Sequence, residues 1–563
     1  MESHVTVDWL VAGSGAGGMT GAVVADQLGG SVLVVESAPV YGGTTAYSGG
    51  VAWIPGNHLQ SSVGIDDSID QGYQYMRSLI GDTVKEQRVR AYAERADEML
   101  RFMMQHSHVS YRPIPTYMDY FDEPGAKHGG RSMCAGAFRR SYLGDEAQHM
   151  RPSPWQGMGM PFSMTVLESQ VLMRMTWRSY LLGAKLLFKY LLDIKARIKG
   201  KADDRIAVGE ALVAKLRRTL MDRDIPLWLN SPVVELLKEN GRVVGAVVDK
   251  QGERQIVSVR KGVLMATGGF AKNNAMRQQY HNHPISTDWT AASPGSNGDG
   301  IRIGQKIGAA LGFMHSVWWS PSYIMPEGKV MALISGKSMP GSIIVNKQGR
   351  RFANEAQPYE ELVKEQYASN DRGEGAIPCY LVFDANFRKK YVVGHIKPGT
   401  VESDRSIPSS YFESGLFSKA ESLAGLAAII GVDSDQLEKT VETFNGNARQ
   451  GIDPDFGRGE SLHDRYYADA KVSPNPSLAP LERAPYYALR LEPGDLDTKG
   501  GLVCDEHGRV CDEAGDVIAG LYATGNTSAA VMGDTYPGAG ATIGSAMTFG
   551  YIAAQHAFSA SDE

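Results

Sequence analysis

Cysteine is scarce and scattered: Cys134, Cys379, Cys504 and Cys511 are the only four in 563 residues, and none stands in a CxxC spacing. That excludes a disulfide framework and a structural zinc site, and the thiols are expected to be reduced and metal-free. No uncharged run approaches the ~20 residues that span a bilayer. No basic-then-apolar leader precedes the first apolar run, so a cytoplasmic location is expected. The net charge of −6 gives no basic excess, and nucleic acid is not an expected partner. Internal repeats and low-complexity tracts are also missing, which excludes solenoids and disordered tails. With 43% hydrophobic and 21% charged residues over this length, the chain should instead bury more than one core.

What the chain has in quantity is glycine, 64 residues of it, and the glycines are placed. After the apolar run Val5-Val7-Trp9-Leu10-Val11 comes Gly13-Ser14-Gly15-Ala16-Gly17-Gly18, and a second apolar run, 32–35, ends at Glu36-Ser37. This is a whole βαβ unit. Gly13 permits the tight turn, Gly15 lets backbone approach a pyrophosphate at the helix N-terminus, Gly18 allows close packing, and Glu36 accepts from a ribose hydroxyl. The ligand is a dinucleotide, and both NAD and FAD satisfy the unit.

The next segment favours flavin. Tyr41-Gly42-Gly43-Thr44-Thr45 and Ser48-Gly49-Gly50 put two glycine turns and several hydroxyls where a ribityl chain and second phosphate need backbone amides. Far along the chain, Leu521-Tyr522-Ala523-Thr524-Gly525-Asn526 reads as a strand breaking at glycine. Gly538-Ala539-Gly540-Ala541-Thr542-Ile543-Gly544 then leads into a helix expected over 545–557, whose N-terminus suits the negative pyrimidine edge of reduced flavin. A matching strand runs into Ala266-Thr267-Gly268, followed by the turn Asn297-Gly298-Asp299-Gly300. Val233 lies in the strands and polar hairpin expected from 230 to 247.

These pieces imply an α/β fold with a Rossmann-like FAD-binding domain built from both chain ends and an inserted α+β catalytic domain. The expected boundaries are 1–319 and 496–563 for the FAD-binding domain and 320–495 for the insertion, with helices over 418–430 and 434–449. An excursion at about 165–205 stands apart. Over 171–201, Arg174, Arg178, Lys185, Lys189, Lys195, Arg197, Lys199 and Lys201 face a single acid, Asp193, among many Leu, Trp, Phe and Tyr. A basic amphipathic helix at a membrane interface, on the inner face of the cell membrane, and a helix packed on its own domain are both readings of this pattern.

The chain resembles the 3-ketosteroid Δ1-dehydrogenases, FAD enzymes related to the soluble fumarate reductases. The resemblance rests on Gly13 to Gly18, Trp318-Trp319, 340–346, Arg351-Phe352-Ala353-Asn354-Glu355-Ala356-Gln357-Pro358-Tyr359, 495–501 and Gly533-Asp534-Thr535-Tyr536-Pro537-Gly538-Ala539-Gly540. Relatives that act on dicarboxylates carry an arginine where this chain has Tyr359. A carboxylate substrate wants a guanidinium, whereas a neutral ketone wants a hydroxyl. This chain departs from the common pattern at Ala539 and Ala541, where relatives often have proline and glycine.

The resemblance implies the roles. Tyr359, helped by Tyr120, takes the proton from carbon 2 of a 3-ketosteroid; the hydride of carbon 1 goes to flavin; Tyr536 and the Gly540 amide stabilise charge on the carbon-3 oxygen. Tyr117 is a second candidate in the loop of Tyr120, and Tyr323 is the next candidate base. Trp53 and Trp318-Trp319 are as well suited to a core as to a steroid wall. Electrons leave to a quinone-like or artificial acceptor. The alternatives are desaturation or reduction at another ring-A bond, as in a 3-ketosteroid Δ4-(5α)-dehydrogenase, a flavoprotein electron carrier, and a membrane-docked structural partner.

Overall fold

The structure, a computed structural model, describes residues 3–154, 162–173, 177–192, 194 and 203–559. Its first strand, Ser3–Ala12, lies at the centre of a parallel sheet because both faces of Trp9, Leu10 and Val11 are buried. On one side it pairs with Val32–Val35 and then Leu227–Trp228; on the other, with Glu253–Met265 and then Val517–Ala523. Arg509–Cys511 closes one edge in antiparallel sense. The hairpin Val233–Glu239 and Arg242–Lys250 pairs antiparallel, through its second strand, with the long strand Glu253–Met265. Sheet strands thus come from residues near both ends of the chain.

Two helices cross behind this sheet at unusually short range. A Cβ on Gly17 of Ala16–Gln27 would lie 2.7 Å from the Ala546 carbonyl, and one on Gly550 of Ala541–Ser559 would lie 2.3 Å from the Gly17 carbonyl. Only glycine lets these backbones meet. Both helices begin beside the same cavity, so two positive helix ends converge there.

A second, four-stranded antiparallel sheet runs Ser342–Val345, Cys379–Phe383, Tyr486–Leu491, Phe417–Ala420. Its side chains alternate between two cores: Ile344, Leu381 and Leu489 face one, whereas Ile343, Val345 and Val382 face helices Leu423–Ile430 and Ser434–Gln450. The helix expected from 418 begins only at Leu423. Phe417–Ala420 is a strand, because pairing with Tyr486–Leu491 buries Phe417, and Ser422 then caps the helix by accepting from the Gly425 amide at 3.0 Å.

Within the basic excursion the described residues form the helices Val166–Met173 and Trp177–Leu192. Arg174, Asp193, Lys195, Arg197, Lys199 and Lys201 lie outside those residues. No helix among the described residues is long and apolar enough to cross a membrane.

Candidate active site

The turn after the first strand is built as a binding corner. Gly13 has φ +110°, and a Cβ there would sit 2.2 Å from the Ala266 carbonyl, so no other residue fits. A Cβ on Gly15 would meet nothing closer than Thr45 Oγ1 at 3.6 Å, which leaves the backbone approachable. The Glu36 carboxylate accepts from the Ser14 hydroxyl (2.6 Å) and amide (3.1 Å) and from the Ala38 amide (3.0 Å). Thr45 Oγ1 accepts from the Ala16 amide at 3.1 Å and so ties the second glycine patch to the helix start.

One elongated cavity runs from this corner to a cluster of tyrosines. Of the expected cofactor residues, all except Gly50 and Ala541 line it. Gly50 donates its amide to Ser48 Oγ, and Ala541 donates to the Gly538 carbonyl, so these two shape the wall from behind. Glycine breaks, two helix N-termini, hydroxyls and a ribose-type acid along one groove fit an extended dinucleotide.

Tyr120, Tyr359, Tyr536 and Gly540 line the other end. The Tyr120 hydroxyl donates to that of Tyr359 at 3.2 Å, and the rings of Tyr359 and Tyr536 stand edge-to-face with centroids 5.5 Å apart. Burial pushes Tyr120 and Tyr359 well above the ordinary phenol range and raises Tyr536 as well. The loop after Tyr536 is held carbonyl by carbonyl. Pro537 accepts from the Tyr75 hydroxyl (2.7 Å) and the Tyr120 amide (3.0 Å), Ala539 from Ser132 Oγ (2.9 Å), and Gly540 from the Trp53 amide (3.0 Å). C=O and N–H of one trans peptide point opposite ways, so the Ser132 bond turns the Gly540 N–H away from Ser132. Gly540 itself has φ +94°, and a Cβ there would strike the Val51 carbonyl at 2.5 Å.

A buried ion pair braces both tyrosine segments from behind. Lys499 lies 2.6 Å from Glu360, next to Tyr359, and donates to the carbonyl of Thr535, next to Tyr536, at 3.0 Å. Lys364 reaches Glu360 at 3.3 Å and the Asp534 carbonyl at 2.9 Å. Arg351, Glu355, Arg458 and Asp453 form a separate buried network that lines none of the cavity.

Tyr117, the second candidate of its loop, and several residues that sequence reasoning missed complete this end. Tyr117 and Tyr467 share a hydroxyl contact of 2.7 Å, and Tyr466 stacks on Tyr117. With Val166, Ser169 and Gln170 of the first excursion helix they line the cavity. The adjacent pair Tyr466-Tyr467 was the only signal. His463 packs 5.0 Å from the Tyr120 ring but does not line the cavity, and burial and Lys337 push it down to about 3, which keeps it neutral. Tyr323 lies 3.3 Å from His395, outside the cavity, which removes it as an alternative base. Trp318 lines the cavity, whereas Trp53 and Trp319 are core residues.

A model of the FAD binding domain family matches residues 8–543. A 3-oxosteroid 1-dehydrogenase of Mycolicibacterium smegmatis is 40% identical over 97% of this chain and 96% of its own. A 4-oxocyclohexanecarboxylate 2-dehydrogenase of Sinomonas cyclohexanicum is 35% identical over 97% and 92%. The crystal structure of the 3-ketosteroid Δ1-dehydrogenase of Sterolibacterium denitrificans, solved with 1,4-androstadiene-3,17-dione, superposes with a TM-score of 0.94 at 41% identity over 98% of this chain and 99% of that one. Likeness of this depth, joined to a groove shaped for a dinucleotide, makes FAD the cofactor and the protein an oxidoreductase: the chain belongs to the FAD-dependent 3-oxosteroid 1-dehydrogenase family.

Proposed function

We propose that the protein converts 3-keto-4-ene steroids to 1,4-dien-3-ones, losing a proton from carbon 2 and a hydride from carbon 1, within steroid or sterol degradation. The observation that carries this is the tyrosine cluster: three buried phenols and a fixed glycine backbone lie at an end of the cavity walled by Trp318, Tyr466, Tyr467 and Leu496, with no lysine or arginine among these walls. A flat neutral ketone fits such walls; a carboxylate does not.

Tyr536 and the Gly540 amide hold the carbon-3 oxygen, and each donor there stabilises the charge that develops as the enolate forms by about 3 kcal/mol. Tyr359 then takes the carbon-2 proton, and the Tyr120 hydroxyl, already donating to Tyr359, stabilises the phenolate. The glycine groove would hold FAD, which would supply the two-electron acceptor, with a quinone-like or artificial oxidant as the final one.

The excursion helix adds a location. In Trp177–Leu192 the apolar residues Trp177, Tyr180, Leu181, Leu187, Phe188, Leu191 and Leu192 recur at helical spacing and face outward, with Trp177 67% and Phe188 62% exposed. Arg178, Lys185 and Lys189 are exposed beside them. An apolar stripe turned to solvent with flanking cations suits an anionic lipid surface, and peripheral docking there places the enzyme where sterol-derived ketones dissolve.

Anaerobic mixing with androst-4-ene-3,17-dione tests the reaction: the flavin absorbance should bleach and the 1,4-diene appear. Bleaching by a 5α-saturated 3-ketone with formation of the 4-ene would favour Δ4-(5α) chemistry, and bleaching by 4-oxocyclohexanecarboxylate alone would reject the steroid.

A further inference from the structure

Arg151 is the one lysine or arginine that lines the cavity, among the described residues. It is 6% exposed, its Nε is buried without a hydrogen-bond partner, and no carboxylate pairs with it among those residues. An unpaired buried guanidinium is costly, because desolvation of the charge is not offset by any counter-ion. Other buried arginines are satisfied: Arg351 and Arg458 share Glu355, and Arg88 donates to the Asp505 carbonyl at 2.6 Å and the Ala529 carbonyl at 3.5 Å.

The place of Arg151 in the fold says which anion is missing. Its amide donates to the Tyr41 carbonyl at 3.0 Å, while the Tyr41 amide donates to the His149 carbonyl at 2.8 Å, so the Arg151 backbone is stitched to the start of the loop 41–45. That loop reaches the dinucleotide corner: the Gly42 amide donates to Ser14 Oγ at 3.0 Å, and Thr45 receives the Ala16 amide. The guanidinium carbon stands 6.0 Å from the centre of the Tyr47 ring, at the end of the short helix that begins at Gly43.

We infer that Arg151 is the counter-ion of the FAD pyrophosphate. The pyrophosphate is the permanent anion of oxidised FAD at neutral pH, and the glycine turn and helix N-terminus meet it only with partial charges. A full positive charge already fixed at the neighbouring loop supplies the charge-assisted contact they lack. The reading also explains how a cavity for a neutral steroid comes to contain a cation at all.

The test uses deflavinated holoenzyme, wild type against Arg151→Met and Arg151→Gln, refilled with FAD and followed by flavin fluorescence. Kd for FAD should rise about 10- to 100-fold, the loss of one hydrogen-bonded charge contact. ADP, as a competitor, should weaken by a similar factor, whereas adenosine should not. The FAD-free variants should melt at or above the wild-type temperature, since the substitution removes an uncompensated buried charge, while the added stability given by FAD shrinks. That opposition of signs separates a ligand contact from a structural role. FAD and ADP binding within twofold of wild type, equal weakening of adenosine, or a lower melting temperature of both FAD-free variants would overturn the assignment.

Discussion

In the proposed reaction a phenol enclosed on every side has to become a base, and the surroundings of each tyrosine sort the proposed roles by sign. Burial raises Tyr359, Tyr120 and Tyr536 alike. For Tyr536 this is useful, because a donor to the ketone must keep its proton. For Tyr359 it makes the phenolate a stronger base but a scarcer one at neutral pH. Steroid-driven flavin reduction should therefore climb with pH from about 7 to 9.5, approaching tenfold per unit where the ionised fraction limits, without levelling off. Tyr359→Phe removes the hydroxyl at nearly constant volume; it should lower the reduction rate by about 10²- to 10⁴-fold and abolish the pH slope while FAD stays bound. Stopped-flow measurement across that range decides it, and a plateau below pH 8 or a near-normal Phe variant would place the base elsewhere. These tyrosines were legible only through their motifs: composition and periodicity alone make a tyrosine a core residue. Tyr117 and Tyr467 were not legible as a pair, being 350 residues apart in sequence and joined only by folding. Arg151 escaped for a related reason, since nothing in its local sequence marks a charge that faces a cavity.

Among the elements, the helix Tyr359–Asp371 and the loop 534–540 carry the two phenols to which the proposal gives the main roles, and besides the edge-to-face contact of those rings the Lys499–Glu360 pair links them. Burial pulls Lys499 down and Glu360 up, yet at 2.6 Å and with the Thr535 carbonyl as a third partner the pair holds. Lys499→Met leaves Glu360 to Lys364 at 3.3 Å and should cost about 3 kcal/mol, seen as a lower melting temperature, with slower flavin reduction. Lys499→Met with Glu360→Met removes both charges and should recover much of the stability but little of the rate, because the tie to Thr535 is still lost. Recovery of both together would show that the pair serves stability alone. The strand-helix-strand start was legible at this scale because hydrophobic runs, glycines and the acid all agree. The segment 418–420 was misread as helix because its sheet partner, Tyr486–Leu491, lies far along the chain, and tertiary pairing overrode local preference.

For the whole molecule, the excursion helices join surface to site. Val166, Ser169 and Gln170 of the first helix line the cavity, and Trp177–Leu192 packs on that helix through Gly183, where a Cβ would lie 3.7 Å from Leu172, and through Ser179, whose hydroxyl donates to the Val171 carbonyl at 2.5 Å. The outward stripe of the second helix therefore lies one helix away from the tyrosine end. A lipid surface held against that stripe would bring an insoluble ketone close to its site, and the same geometry ties affinity to charge. Each basic residue near an anionic surface contributes on the order of 1 kcal/mol, falling off within a Debye length. Vesicles containing anionic lipid should therefore pull the holoenzyme down at low salt and release it at high salt. Charge reversal at Arg178, Lys185 and Lys189 should weaken the capture without loss of flavin, and Trp177→Ser with Phe188→Ser should weaken it at every salt concentration. The two sets of variants separate electrostatic attraction from apolar insertion. Equal recovery on neutral and anionic vesicles, or none on either, would leave the exposed stripe without a lipid role and the enzyme to draw its substrate from solution.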